Sequence, residues 1–541
     1  MSRKKRRTTR SPEPRPAPVQ APEADRFRFR LSSPWAVPVI LGLLTLLYFH
    51  DFPLSGKVIY GSDTGTDFHR GKEPFAEKLA NYGPGAWKPT LGGYPASEEI
   101  RPDFFPTSLL KLFTTHQRHL GWRYLLTVFL AGWGMYRYLR VLSLARWPCL
   151  WGAVAFMFAP TFLSFTFAGH YAKMAVIALL PWMFLCLHRG MREGKLSPFL
   201  WLALLIGLGA YTPHVQMLQY ALIAVGLYFL FHIYILYRES LARRALLART
   251  GLFTLAAFLG IGIGSEGLFP SYLHATRESK RAEAATAERT GDPLALARSW
   301  SLHPEEVGSL VIPEFGGFYN PQDNRDQYWG RNPGKYNSEY FGIVVLLLAL
   351  PALWSWRRDP TAAFMALLFA VALAFTLGGH TPVHWIAAHL LPGGKVLRSV
   401  GMAAFLFAFP AIVLAASGLH QAVTAGEPEK QLFRKRLLIS AAALGGIAAL
   451  AAAVPHTVLE LWTALLYDGI SEANRRIMLS GAPLLAGGGL LAVLVCAGAA
   501  ALVWALLRGK LSAAAACGGL IALTLADTWR IDRLFLVYEA P

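Results

Sequence analysis

Apolar runs close to bilayer thickness recur along almost the whole of this chain, separated by short segments rich in Arg and Lys. A hydrocarbon core takes about 20 apolar residues to cross as a helix, and in lipid only helices and closed barrels satisfy every backbone group. Such windows predict spans near 34–50, 120–140, 147–168, 172–188, 198–212, 215–236, 247–271, 340–356, 361–378, 400–418, 437–455, 481–507 and 511–527. The expected fold is an all-α polytopic membrane protein of about 13 transmembrane helices. With 54% hydrophobic and only 16% charged residues, the chain lacks the polar surface that a soluble fold of 541 residues would need.

The net charge of +19 would suit nucleic acid if it were clustered, but its distribution follows membrane topology instead. Ten basic residues (Arg3, Lys4, Lys5, Arg6, Arg7, Arg10, Arg15, Arg26, Arg28 and Arg30) precede the first run, and the remainder recur in alternate connections. Residues 1–32 read as a disordered basic tail, rich in Pro and Ala, that anchors topology and touches anionic lipid. Because the first run starts late, near Trp35, with no small-residue cleavage site, it reads as a span rather than a signal peptide. The short connections carrying Arg137, Arg140 and Arg146, Arg189 and Arg192, Arg238, Arg243 and Arg244, Arg357 and Arg358, Arg434 to Arg436, and Arg508 then fall on the cytoplasmic side. Those at 169–171 and 212–214 carry no Lys or Arg and fall outside. Residues 33–528 form the bundle, with 529–541 as a short outer tail. The charge distribution implies a cytoplasmic N-terminus and a non-cytoplasmic C-terminus. Cys149, Cys186, Cys496 and Cys517 all lie in apolar runs without CxxC spacing, and read as packing residues.

Two outer connections are long, 51–119 and 272–339, and both are rich in Gly, Pro, aromatic and charged residues. Residues 104–113 and 456–480 are candidate interfacial helices. The first long loop holds Asp63, Asp67 and His69 close together, an arrangement that serves as a general base, holds a divalent cation, or is simply a solvated acidic loop. Trp87 and the Gly92-Gly93-Tyr94-Pro95 stretch mark a tight turn. Gly169-His170-Tyr171-Ala172-Lys173 sits at an outer junction, where His170 and Lys173 can meet a lipid phosphate or Lys173 can snorkel. His214 and Gln216 enter the next span, lining a cavity or bonding a neighbouring helix. Glu266 is a carboxylate in an apolar run, costly unless paired, with Lys173 and Arg398 as candidate partners. In the second long loop, Tyr328 and Trp329 among Asn and Asp residues suit carbohydrate or a headgroup region. Arg398 follows Gly393-Gly394-Lys395 at an outer helix start, a place for an anionic group.

The order of these motifs resembles the YfhO family of bacterial membrane proteins, grouped with glycosyltransferases of the C-type fold. The likeness runs through Ser55-Gly56-Lys57-Val58-Ile59 to Asp63, through Trp87 and Gly92-Gly93-Tyr94-Pro95, and through Gly169-His170-Tyr171-Ala172-Lys173 with Leu180-Pro181. It continues in Pro213-His214-Val215-Gln216, Pro270-Ser271-Tyr272, Tyr328-Trp329-Gly330 and Leu397-Arg398-Ser399-Val400. The resemblance implies a C-type glycosyltransferase fold and transfer of a sugar from a polyprenyl-phosphate donor to a glycan, glycolipid or protein acceptor on the non-cytoplasmic side. It implies Asp63 as the base with Asp67 in reserve, and His170, Lys173 and Arg398 at the donor phosphate. His214, Gln216, Glu266, Tyr328 and Trp329 are the expected substrate-binding residues. The resemblance implies a bacterial inner membrane and makes no cofactor certain; were a divalent cation such as Mg or Mn used, Asp63 and Asp67 would share it, although they are four residues apart and lack the compact Asp-x-Asp spacing of the wider group. The alternatives are a transporter or flippase of a lipid-linked saccharide and a non-catalytic membrane subunit that keeps the fold.

Overall fold

The computed structural model describes residues 33–63, 75–80, 87–88, 94–95, 105–212, 214–273, 294–391, 394–395 and 398–540. The expected basic tail, Asp67 and much of the first long loop lie outside these residues. Helices dominate the described residues, and the strands among them form three ribbons of two-residue strands joined to the helices by turns and irregular segments. The main helices are α1 (Ala36–Tyr48), α2 (His116–Val141), α3 (Arg146–Met157), α4 (Tyr171–Glu193), α5 (Leu196–Ala210), α6 (Val215–Arg238), α7 (Arg243–Ile263) and α8 (Ser265–Leu273). They continue with α9 (Ile343–Leu353), α10 (Pro360–Thr376), α11 (Phe405–Thr424), α12 (Glu427–Ala453), α13 (Pro455–Leu466), α14 (Glu472–Ser480), α15 (Ala482–Leu507) and α16 (Ala513–Asp532).

Seven helical segments among the described residues are long and apolar enough to cross a membrane: Arg146–Thr166, Tyr171–Glu193, Val215–Arg238, Arg243–Ile263, Val400–Thr424, Glu427–Ala453 and Ala482–Leu507. Four shorter apolar helices, α1, α5, α9 and α10, occupy further expected runs. The protein is an all-α membrane protein in this coarse sense. Some boundaries differ from the sequence reading for local reasons. The run 247–271 breaks at Gly264, where α8 begins at Ser265, whose hydroxyl donates to the Gly262 carbonyl at 2.8 Å. The run 340–356 shrinks to α9, which starts after Gly342 at φ +101°, a conformation that glycine adopts without a Cβ penalty.

Packing follows the small-residue logic of lipid-embedded helices, in which close approach replaces a hydrophobic driving force. α5 and α7 lie against each other at Gly207 and Gly260, where an added Cβ would strike Ile263 and Ile206. Deeper in the bundle, polar side chains find partners: Trp151 Nε1 donates to Thr524 Oγ1 at 3.0 Å, and Tyr138 and Tyr228 are joined through their hydroxyls at 3.2 Å. Buried polar groups without such partners would cost far more than those hydrogen bonds return.

The bundle has two chemically distinct ends. At the basic end, Arg192 binds Glu239 at 2.7 Å, Arg249 donates to the Met191 carbonyl, and Ala145 N–H donates to His420. At the opposite end, strand β1 (Val58–Ile59) pairs antiparallel with β2 (Tyr538–Glu539), tying the segment after α1 to the end of the chain. Arg118 of α2 donates to the carbonyls of Phe52, Ser55 and Lys57. The second long segment is held to α16 by Tyr340, whose hydroxyl donates to Asp527 at 2.7 Å, and by the Arg530–Glu314 ion pair. The candidate interfacial stretches are helical here as well, at Leu110–Phe113 and in α13 and α14.

Candidate functional site

Two hydrogen bonds bring the chain after β1 to the start of α4. Tyr60 N–H donates to the Val537 carbonyl at 2.9 Å, and Ser62 N–H donates to the Phe167 carbonyl at 2.8 Å. On the other side, Gly169 takes φ +76°, a left-handed turn that lets His170 sit just before the first turn of α4. Asp63 and His170 are 107 residues apart in sequence, yet His170 Nε2 lies 2.8 Å from Asp63 Oδ2. Lys173, three residues on and therefore on the same helical face, places Nζ 3.0 Å from His170 Nδ1.

This geometry fixes a tautomer. A lysine ammonium has only donors, so His170 Nδ1 must accept, and Nε2–H must then donate to the Asp63 carboxylate. Burial and the neighbouring Lys173 charge pull the His170 pKa down to about 4, against the pull of Asp63 in the opposite direction, so the ring is neutral at pH 7. The result is a continuous line from a buried ammonium through a neutral imidazole to a carboxylate. Lys173 is 9% exposed, whereas the Asp63 side chain is 63% exposed. The line ends at a carboxylate that substrate can reach, oriented by a donor and with its second oxygen only weakly held by Ser62 Oγ at 3.3 Å.

No family model and no curated protein matches the chain. The reading of the site therefore rests on its own chemistry. Among the described residues no three metal-ligating side chains gather anywhere, and Asp67 lies outside them. At Asp63 one carboxylate oxygen already accepts the imidazole N–H, and an ammonium stands behind that ring. Such a donor set suits a base better than a cation.

The other expected residues are distributed as follows. Gln216 donates from Nε2 to the Arg398 carbonyl at 2.5 Å and to the Tyr220 hydroxyl at 2.7 Å, so α6 and the segment before α11 form a second polar corner, where the Arg398 side chain is exposed. His214 stands half-buried before α6. Glu266 is exposed at the start of α8 and makes no ion pair among the described residues, so neither Lys173 nor Arg398 is its partner. Tyr328 and Trp329, expected on a loop surface, are 4% and 2% exposed. Their polar atoms are used internally: Tyr328 O–H donates to Glu306 at 2.5 Å, and Trp329 Nε1 donates to the Phe315 carbonyl at 2.7 Å. α13 and α14 cover this segment, with Trp462 edge-on to Phe315 and Asn474 donating to the Trp329 and Gly330 carbonyls.

Sequence reasoning missed two groups. Arg123 in α2 is fully buried, with its guanidinium 3.5 Å over the Tyr171 ring and Nε bonded to Thr107. Its signal was an arginine just inside an apolar run, 48 residues in sequence from the Tyr171 ring that it covers. The second group is the acidic pair Glu305 and Glu306, both buried in the second long segment. Burial and the Glu306 charge push the Glu305 carboxyl up to about 7, although Arg331 N–H donates to it at 3.0 Å. Nearby, Lys335 and Glu339 form an ion pair at 2.6 Å with both side chains buried. No pattern of spacing marks these residues as internal.

Proposed function

We propose that this protein is a membrane glycosyltransferase of the YfhO type, with a C-type fold of about 13 spans, that moves a sugar from a polyprenyl-phosphate donor to an acceptor on the non-cytoplasmic side of a bacterial inner membrane. The observation that supports it most is the hydrogen-bonded line Asp63–His170–Lys173, ending in an exposed carboxylate at the end of the bundle opposite the basic connections. In this reading Asp63 takes the proton of an acceptor hydroxyl as that oxygen bonds to the sugar's anomeric carbon. The bond from that carbon to the donor phosphate oxygen breaks, and the polyprenyl phosphate leaves with the electron pair. Lys173, two hydrogen bonds from Asp63, supplies fixed positive charge near the developing anion. Neutral His170 keeps the carboxylate aimed by donating Nε2–H to it. Arg398, exposed beside Gln216, is the second candidate for the donor phosphate.

The subunit reading predicts scattered polar residues: Asp63 and Lys173 share one line through His170, whereas Arg398 stands at the Gln216 corner and Glu266 is exposed at the start of α8. The test is Asp63→Asn in the native host, read by mass spectrometry of envelope glycans and glycolipids beside a deletion strain. The proposal expects normal membrane insertion with the deletion's glycan profile. A variant with the wild-type profile would remove Asp63 as the base.

A further inference from the structure

A second binding surface lies at the basic end, far along α6 and α10 from Asp63. There the two helices part and leave a groove of about 890 Å³. Its walls are apolar, with Leu227 and Phe231 on α6 facing Leu367 and Val371 on α10. Leu227, Leu367 and Val371 are all exposed, so the groove opens on the outer surface of the bundle. Its mouth carries Arg238 and Arg357.

The charges at the mouth do not balance internally. Glu239, the acid beside Arg238, is taken by Arg192, whose Nη1 lies 2.7 and 2.9 Å from its two oxygens. Among the described residues Arg238 bonds only the neutral Tyr234 hydroxyl at 3.2 Å, and Arg357 stacks at 5.1 Å on Trp356. Neither makes an ion pair with a carboxylate among the described residues. Two unneutralised guanidiniums over an apolar trough, flanked by an exposed Trp356 and Tyr234, match a phosphate headgroup above a hydrocarbon chain.

We infer that this groove is a binding site for one anionic glycerophospholipid of the leaflet at the basic end, its phosphate between Arg238 and Arg357 and an acyl chain along Leu227, Phe231, Leu367 and Val371. The inference goes beyond the proposed transfer and does not depend on it, since none of these residues belongs to the Asp63 line. The pair of guanidiniums should favour an anionic over a zwitterionic lipid by about tenfold or more.

Native mass spectrometry of the delipidated full-length protein tests this, with dioleoyl phosphatidylglycerol, dioleoyl phosphatidylcholine and a polyprenyl phosphate titrated separately and in competition. The expected result is one tightly retained phosphatidylglycerol, lowered to the phosphatidylcholine level in Arg238→Gln/Arg357→Gln. Should that variant fail to fold, Leu367→Trp decides, because filling the trough must weaken phosphatidylglycerol retention with both arginines present. Equal retention of the two glycerophospholipids by the wild type, or phosphatidylglycerol retention unchanged in the variants that fold, would overturn the site. Displacement of phosphatidylglycerol by an equimolar polyprenyl phosphate would overturn the assigned occupant.

Discussion

Two acid-rich regions sit at the same end of the bundle and differ in what surrounds them. Asp63 ends its line exposed, with one oxygen set by His170 and the other nearly open. Glu305 and Glu306 are closed in by Phe315, Trp329 and the cover of α13 and α14; Glu305 Oε1 accepts from Arg331 N–H and Glu306 from Tyr328 O–H and His303 N–H, while Glu305 Oε2 is buried without a hydrogen-bond partner among the described residues. The same residue type is therefore available for chemistry in one region and serves as mortar in the other. The difference comes from which loop is roofed by later helices, a matter of tertiary packing rather than of composition.

The largest contrast should appear in matched substitutions. Removing a general base costs about 10²–10⁴-fold in rate, so Asp63→Asn should lose sugar transfer on that scale while its melting temperature in detergent stays at the wild-type value. Glu305→Gln should do the reverse, keeping turnover in the folded fraction and changing stability. Next in size, Lys335→Ala strands Glu339 in a buried site, and breaking such a pair costs about 3–5 kcal/mol. The measurement is limited proteolysis of the segment 294–342 together with thermal unfolding; a variant as resistant as wild type would show that this segment is not held by its interior.

A further effect on stability is expected at Gly317, which has φ +69° and whose added Cβ would strike the backbone carbonyl of Gln327. A left-handed residue with a Cβ costs about 1–2 kcal/mol before that backbone clash is counted, so Gly317→Ala should lower the melting temperature by more than this conformational cost alone and leave transfer in place.

The smallest effects are on pH dependence, and the two regions should have opposite signs. Glu305 has its pKa raised from 4.5 to about 7, so its contribution to stability is full below pH 4.5 and is lost as pH rises through 7. His170 has its pKa lowered from 6.5 to about 4, so its contribution is present above pH 6.5 and is lost as pH falls through 4. Unfolding of Glu305→Gln should lose the alkaline slope and keep the acid one. If transfer depends on a neutral His170, its acid limb should lie well below 6.5.

Hydropathy made the helical runs legible because a span's length and polarity are local properties, and helices occupy each of the expected windows. The corner of His170 and Lys173 was also legible, since i, i+3 spacing at a helix start places both on one face. The contact of His170 with Asp63 was not, because it depends on the β1–β2 pairing and the Ser62–Phe167 bond, which join distant segments. Tyr328 and Trp329 read as surface residues for the same reason in reverse: their Asn- and Gly-rich surroundings look exposed until α13 and α14 fold over them. Glu266 stands exposed at a helix start, with no ion-pair partner among the described residues.

The central claim is that the exposed end of the Asp63–His170–Lys173 line, and not the roofed acids, carries the chemistry. The most direct measurement is release of free polyprenyl phosphate by purified wild-type, Asp63→Asn and Glu305→Gln proteins, supplied with a polyprenyl-phosphate sugar and an acceptor at equal folded concentration. The account predicts release by wild type and Glu305→Gln and none above background by Asp63→Asn. Release by Asp63→Asn at the wild-type rate would contradict it.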